Sequence, residues 1–222
     1  MRAAVFTSSL VLSLLFAAPA WGAEGIKEVL DRSQQMQFDS LAARQVADDS
    51  RESQIVHGSF EHLLTKVGTP VAVKLLVVRG PMLAVCLLGR VVVANASLAD
   101  MSESERQFIL AHELGHVSHG HWDQVSRLYQ KYIPDEVVQQ KTDAVAAPLG
   151  REASQLAHDQ EYEADAFAHD VLRRMGQPAD TAELLLHRLP LVKRTATHPG
   201  TRERLAHIRS LQARDNHPLA AR

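Results

Sequence analysis

With 222 residues, the chain is long enough to bury the core of one main domain, and its 45% hydrophobic and 23% charged residues are typical of a globular protein. The formal net charge of −2 excludes a polybasic or polyacidic chain and gives no reason to expect nucleic acid as a partner. The single cysteine, Cys86, excludes an internal disulfide, and we expect it to pack as a small buried side chain without thiol reactivity.

The first 23 residues have the pattern of a secretory signal peptide. Arg2 forms a short positive region, residues 10–18 form an apolar core, and Ala18-Pro19-Ala20 is a small-residue cleavage pattern, with Ala23 as a second site. The pattern predicts an exported, periplasmic protein, and an uncleaved membrane anchor is the alternative. No later stretch approaches about 18 consecutive apolar residues, so we expect the mature chain to be soluble.

The next 70 residues predict helices followed by a small sheet. Residues 24–54 predict a loose N-terminal helical arm, and residues 55–67 predict a helix with one apolar face that ends at Gly68 and Pro70. Three short β-rich runs follow, with turn residues between them, at 71–78, 82–88 and 90–94. Strands this short, separated by tight turns, predict an antiparallel meander covered by helices.

The segment Ala111-His112-Glu113-Leu114-Gly115-His116 carries the clearest chemical signal. Ser102 and Glu105 have the spacing of a capping box, and Gly120 is a stop signal, so the histidines are expected on a helix. Histidines four positions apart share a helix face and can reach one ion, while the glutamate can deprotonate a water beside it. Two ordinary helix histidines are the alternative, because the chain contains 12 histidines.

Helices are predicted for most of the remaining chain. They cover residues 122–132, 151–175, 181–189 and 200–212, while residues 133–150, which contain Pro134 and Pro148, predict a mobile loop or lid. We expect one domain over residues 55–213 and a flexible tail over residues 214–222.

A catalytic zinc needs a third protein ligand. Glu161 and Asp165 lie four positions apart on the predicted helix 151–175, and the small Ala164 and Ala166 would let this helix approach another closely. Such a carboxylate pair can provide one oxygen to zinc and one partner that orients a ligating histidine.

These motifs resemble the zinc metallopeptidases that include HtpX, the CaaX-prenyl proteases and the periplasmic BepA-like proteases. The resemblance rests on 112–116, on 161–165, and on Thr197-His198-Pro199 followed by Arg202, and it covers about residues 59–211. It implies a gluzincin with a mainly helical α+β zincin-type fold and a small antiparallel sheet. The pattern predicts neither the transmembrane helices of HtpX and the prenyl proteases nor the C-terminal repeat domain of BepA.

The resemblance also implies roles for three residues. Glu161 would be the third zinc ligand and Asp165 a supporting residue. His198 would lie close to the metal, either as a transition-state stabiliser or as a displaceable inhibitory ligand.

The other polar residues near the motifs leave alternatives open. His119 and His121 could form a second metal site, but histidines at a helix C-terminus also interact well with the helix dipole. Tyr162 could donate to an oxyanion, although packing is favoured. Glu163 is expected to be solvent-facing or salt-bridged, and ordinary surface roles are expected for His158 and His169.

The sequence therefore predicts an exported zinc endopeptidase with one Zn²⁺ per subunit. His112, His116 and Glu161 would bind the metal, and Glu113 would be the general base. The expected partners are polypeptide substrates, namely misfolded or unassembled envelope proteins, bound along a strand edge by β-augmentation. Peripheral association with the membrane or with envelope assembly machinery is a further expectation. A non-proteolytic envelope chaperone or adaptor with a structural zinc is the alternative.

Overall fold

The computed structural model describes residues 25–216. The predicted signal peptide and the last six residues of the predicted tail lie outside the described residues. The described residues form seven α-helices and three β-strands, which are α1 (Ile26–Ala42), α2 (Arg51–Leu64), β1 (Lys74–Val78), β2 (Ala84–Leu87), β3 (Val91–Asn95), α3 (Glu103–Ser118), α4 (His121–Tyr132), α5 (Gln139–Arg174), α6 (Thr181–Arg188) and α7 (Thr201–Asn216). The predicted mainly helical α+β class is confirmed, whereas the division into arm, domain and tail stays a prediction.

The sheet is mixed, so the predicted antiparallel meander is wrong. β3 is the central strand: it pairs parallel with β1 and antiparallel with β2. Leu88 and Gly89 both have positive φ angles, of 54° and 63°, as a tight hairpin between β2 and β3 requires. The β1–β2 connection instead crosses the end of β3, where the Asn95 side chain donates to the carbonyls of Gly80 and Met82, both at 2.7 Å.

Both faces of the sheet are buried, as the near-continuous apolar runs predicted. Alternate residues enter two clusters: Val77 and Val92 belong to the main core with α2 and α3, whereas Val78 and Val93 face α1. β3 is buried along its whole length. This sheet gives α3 a rigid surface to pack on, and α3 carries the candidate site.

The helix α3 starts where the sequence predicted. The hydroxyl of Ser102 accepts a hydrogen bond from the amide of Glu105, and the carboxylate of Glu105 accepts from the amide of Ser102, so both halves of the capping box form. The preceding helix α2 starts at Arg51, four residues before the predicted start, because Ser50 caps it by accepting from the amide of Ser53.

The helix α5 contains most of the segment predicted as a loop or lid, so the loop prediction is wrong. It runs for 36 residues and passes through Pro148. A proline inside a helix costs about 3 kcal/mol. Val145 and Leu149 lie one turn apart and pack against α1 and α4, and burying side chains of this size contributes about 1.5–3 kcal/mol each. Their packing therefore offsets the cost of the proline.

Among the described residues, no helix is both long enough and apolar enough to cross a membrane. α5 has the necessary length, but charged and polar side chains occur throughout it.

Candidate metal centre

The two histidines of α3 point their Nε2 atoms at one place. Those atoms lie 3.3 Å apart, and His112 is only 2% exposed. The spacing of four residues produces this arrangement, because it sets the rings one above the other on the same helix face.

The helix α5 brings Glu161 to the same place. Its Oε2 lies 3.7 Å from Nε2 of His112, and its Oε1 lies 3.6 Å from Nε2 of His116. Ligands of one tetrahedral zinc ion are about 3.4 Å apart, given bond lengths of about 2.0–2.2 Å. Among the described residues, these three side chains are the group whose ligand atoms converge closely enough to hold a metal ion.

Gly115 is what allows the two helices to come so close. A Cβ atom at this position would lie 3.0 Å from the Cα atom of Ala164 and 3.3 Å from the Cβ atom of Phe167. The missing side chain at Gly115 therefore lets α5 bring Glu161 opposite the histidines, and Ala164, one of the two small residues predicted to allow a close approach, lies at this contact.

Asp165 supports His112 from behind. Its Oδ1 lies 2.9 Å from Nδ1 of His112, and its Oδ2 accepts from Nε of Arg204 at 2.8 Å. Burial raises the pKa of Asp165, but the charge of Arg204 and the hydrogen bond from His112 outweigh burial and hold it well below its usual range. A buried, ionised carboxylate thus orients His112, which leaves its Nε2 to face the metal position.

Arg204 was missed by the sequence reasoning, which named Arg202 at this motif. Arg202 is exposed, whereas Arg204 is 5% exposed and also approaches Glu161, with 3.9 Å between Nη1 and Oε2. The sequence spacing could have indicated that Arg204 is buried. It lies four positions before the apolar Ile208, so the two share one face of α7, which is the face that meets α5. Because burying an unpaired charge is costly, a cation on the buried face of a helix predicts a buried anion opposite it.

A second histidine supports His116. The Nδ1 atoms of His116 and His121 lie 2.8 Å apart, and Nε2 of His121 lies 3.0 Å from Oε2 of Glu163. Burial lowers the pKa of His116 well below its ordinary value, and burial also lowers the pKa of His121 to about 4. Glu163, predicted to be solvent-facing or salt-bridged, is half exposed and forms this pair.

Glu113, which directly follows His112 on α3, has a buried oxygen without a partner. The residue is 1% exposed, and its Oε2 has no hydrogen-bond partner. Burial raises the pKa of Glu113 to about 7, against the opposing effects of the His112 and Arg204 charges and of a hydrogen bond from the Cys86 amide. A buried acceptor without a partner marks a place for a group that the protein atoms do not supply.

His198 reaches the same centre from the loop before α7. Its Nε2 lies 3.7 Å from Oε1 of Glu161 and also has no hydrogen-bond partner, while its Nδ1 lies 2.9 Å from the hydroxyl of Thr197. Two imidazoles and a carboxylate around one point, with the unpartnered Nε2 of His198 next to them, fit a zinc ion.

Other candidate residues lie away from the centre or differ from expectation. His158 and His169 are 2% and 7% exposed, so their predicted surface roles are wrong. His158 Nε2 lies 2.8 Å from the carbonyl of Thr195, and His169 Nε2 lies 2.9 Å from Asp215. Tyr162 packs against the ring of His207, with 4.9 Å between ring centroids.

In this centre two histidines of one helix and a glutamate of another can hold a metal ion. The chain belongs to peptidase family M48, whose sequence model matches residues 50–212, which is more than half of the chain. A comparison with curated proteins found no match. Peptidases of this family are metal-dependent, typically with zinc. The narrower resemblance to HtpX, the prenyl proteases and BepA stays a prediction.

Proposed function

We propose that this metallopeptidase is a zinc endopeptidase that cleaves misfolded or unassembled proteins of the cell envelope. The observation that carries the proposal is the convergence of His112, His116 and Glu161 at one point, together with the buried, unpartnered oxygen of Glu113, the residue that follows His112 on α3. A purely structural zinc site has no need of such a base.

The residues divide the chemistry between them. His112, His116 and Glu161 would hold the zinc, which would supply acidification of a water molecule and polarisation of the peptide carbonyl. Glu113 takes the proton from the attacking water and passes it to the leaving amine. Nε2 of His198 lies 3.7 Å from Oε1 of Glu161. From this position it can stabilise the oxygen of the substrate carbonyl as negative charge develops there.

The strand β2 supports the assignment as an endopeptidase. It is an edge strand, and the carbonyl of Leu83, just before it, accepts from the amide of Asn95 in β3. Because the hydrogen-bonded pairs alternate along this antiparallel register, the backbone groups of Ala84 and Cys86 face away from the sheet. Cys86 and Leu87 line one pocket together with His116 and Glu161, which places this edge beside the metal centre. An extended peptide can pair with such an edge through its backbone and needs no free terminus to do so.

A peptide blocked at both ends tests the endopeptidase proposal. The purified protein is expected to cleave an internally quenched peptide with an acetylated N-terminus and an amidated C-terminus, and to lose this activity with a zinc chelator. Glu113→Gln is expected to bind one zinc per subunit and to lose at least about 100-fold in kcat/KM. Activity that survives in Glu113→Gln would remove Glu113 as the base, and cleavage only of unblocked peptides would indicate an exopeptidase.

The 3.7 Å distance between Nε2 of His198 and Oε1 of Glu161 favours a second candidate function, a non-proteolytic chaperone or adaptor. If Nε2 of His198 became a permanent fourth ligand, the site would be closed and structural. This candidate predicts that the wild type, with its zinc bound, prevents aggregation of an unfolded protein without cleaving it. Cleavage by the wild type rejects this candidate.

Location in the periplasm is part of the proposal and rests on the pattern of residues 1–23. N-terminal sequencing of the protein from a periplasmic fraction is expected to show a start immediately after Ala20 or Ala23. A start at Met1 in the membrane fraction would instead support the uncleaved anchor.

A further inference from the structure

The two candidate histidine ligands are supported in different ways. His112 hydrogen-bonds directly to the buried carboxylate of Asp165, with 2.9 Å between Nδ1 and Oδ1. His116 has another imidazole in the equivalent position, that of His121, and the carboxylate comes one step later, from Glu163. Because ligand orientation and basicity depend on such partners, this difference has chemical consequences.

The positions of the protons follow from the geometry. His116 turns its Nε2 toward His112 and Glu161, so a metal bound there leaves the ring proton of neutral His116 on Nδ1. With 2.8 Å between the two Nδ1 atoms, His121 must accept that proton and therefore carries its own on Nε2. That Nε2 lies 3.0 Å from the Glu163 carboxylate, which accepts.

The imidazole of His121 is held in place from several sides. The residue is 3% exposed and begins α4 directly after Gly120, whose φ of 62° turns the chain sharply between the two helices. The side chain of Gln160 donates to the backbone carbonyl of His121 at 3.1 Å, which ties it to α5. The ring of His121 stacks on the ring of His119, with 5.5 Å between the ring centroids. A ring so constrained can in turn constrain its neighbour.

We propose that His121 is a positioning residue for the metal centre: it accepts the Nδ1 proton of His116, fixes that ring with Nε2 toward the metal, and relays the negative charge of Glu163. The proposal rests on the zinc site of the proposed function and adds a role for His121 and Glu163. The chain of hydrogen bonds runs from His116 through His121 to a carboxylate that is 52% exposed. Its effect on the metal is therefore expected to be weaker than that of the fully buried Asp165.

This assignment differs from a second metal site at the same histidines. In the part of the chain that the structure describes, the only group of three side chains close enough to hold an ion is the one already assigned, and it does not include His121. Both ring nitrogens of His121 already have protein partners. A zinc titration of the wild type that saturates at two ions per subunit, with the second lost in His121→Leu, would overturn the proposal.

Four variants test the proposal through zinc affinity, measured by competition with a chelator. His121→Leu removes both ring nitrogens and is expected to weaken zinc binding about 10- to 100-fold. His121→Asn keeps an acceptor near the position of Nδ1 and is expected to restore most of that loss. Glu163→Gln keeps the shape without the charge and is expected to weaken binding by less than about 10-fold. His169→Leu is the matched control, because it breaks another pair between a buried histidine and a carboxylate, 2.9 Å long compared with 3.0 Å for His121 and Glu163, away from the metal.

A spectroscopic readout separates positioning from simple packing. In the zinc-loaded wild type, ¹⁵N NMR is expected to show His116 protonated at Nδ1 and His121 protonated at Nε2, and this measurement needs no variant to fold. In His121→Leu, the Nδ1 proton of His116 is expected to lose the downfield shift of a hydrogen-bonded proton. A wild-type His121 protonated at Nδ1 would overturn the proposal.

The affinity outcomes are equally decisive. Zinc affinity in His121→Leu equal to that of the wild type would overturn the proposal, as would an equal loss in His169→Leu or a His121→Asn variant no better than His121→Leu. The proposed function can fail separately. A wild type that binds zinc but does not cleave peptides would refute the peptidase chemistry, whereas the role of His121 would still be tested by the zinc affinities and the NMR spectra.

Discussion

Replacing Arg204 with methionine tests whether one buried ion pair holds α7 against the metal-binding helices. Asp165 is 0% exposed and Arg204 is 5% exposed, so neither charge has water to replace a lost partner. Breaking a buried pair from one side costs about 3–5 kcal/mol. Asp165 keeps its hydrogen bond with His112 in the variant, so we expect the lower end of the range, about 3 kcal/mol.

The assay is urea unfolding of the zinc-free protein, followed by circular dichroism. A loss of this size is a large share of a typical stability of about 5–15 kcal/mol. The double variant Asp165→Asn with Arg204→Met removes both charges and keeps an acceptor for His112. It is expected to be about 1–3 kcal/mol more stable than Arg204→Met, because it no longer leaves a buried charge without a partner.

The control for this prediction is Arg209→Met. Arg209 pairs with Glu183 at the surface and is half exposed, so its loss is expected to leave the unfolding midpoint unchanged. The reasoning is refuted if Arg204→Met costs less than about 1 kcal/mol, the value of an exposed pair. It is also refuted if the double variant is no more stable than the single one.

Three further predictions concern the metal and the approach of the helices. Glu161→Ala is expected to lower zinc content by a large factor in metal analysis, whereas Glu152→Ala, an exposed change on the same helix, is not; the reverse result would reassign the ligand. His198→Ala is expected to retain zinc and to change kcat/KM, and unchanged kinetics would make His198 a structural residue. Gly115→Val is expected to lower the free energy of unfolding by about 1–3 kcal/mol and to weaken zinc binding, because its side chain would meet the backbone of α5. An unchanged urea midpoint for Gly115→Val would show that the two helices can separate without cost.

Local rules were sufficient for the helix that carries the histidines. The spacing of His112 and His116, the capping box at Ser102 and the apolar run after it all act within a few residues, so they could be interpreted from the sequence directly. Glu161 and Asp165 needed more, because a pair of acidic residues four apart is common on helices. The resemblance to known metallopeptidases separated this pair from the others.

Long-range packing decided the parts that the sequence reasoning missed. The parallel pairing of β1 with β3 depends on Asn95 holding a connection that crosses the strand end. The continuation of α5 through Pro148 depends on apolar contacts with α1 and α4, which propensity rules do not include.

The sequence by itself determined that His112 and His116, which can reach one metal ion, and the candidate base Glu113 lie on one helical segment, because that pattern is local. The tertiary structure decided which distant groups complete and support the centre. Arg204 supports Asp165 across the interface of α5 and α7, and His121 meets His116 only because the chain turns at Gly120. Such partners are selected by the way the helices pack, since the free energy of a buried polar group depends on what lies opposite it in space.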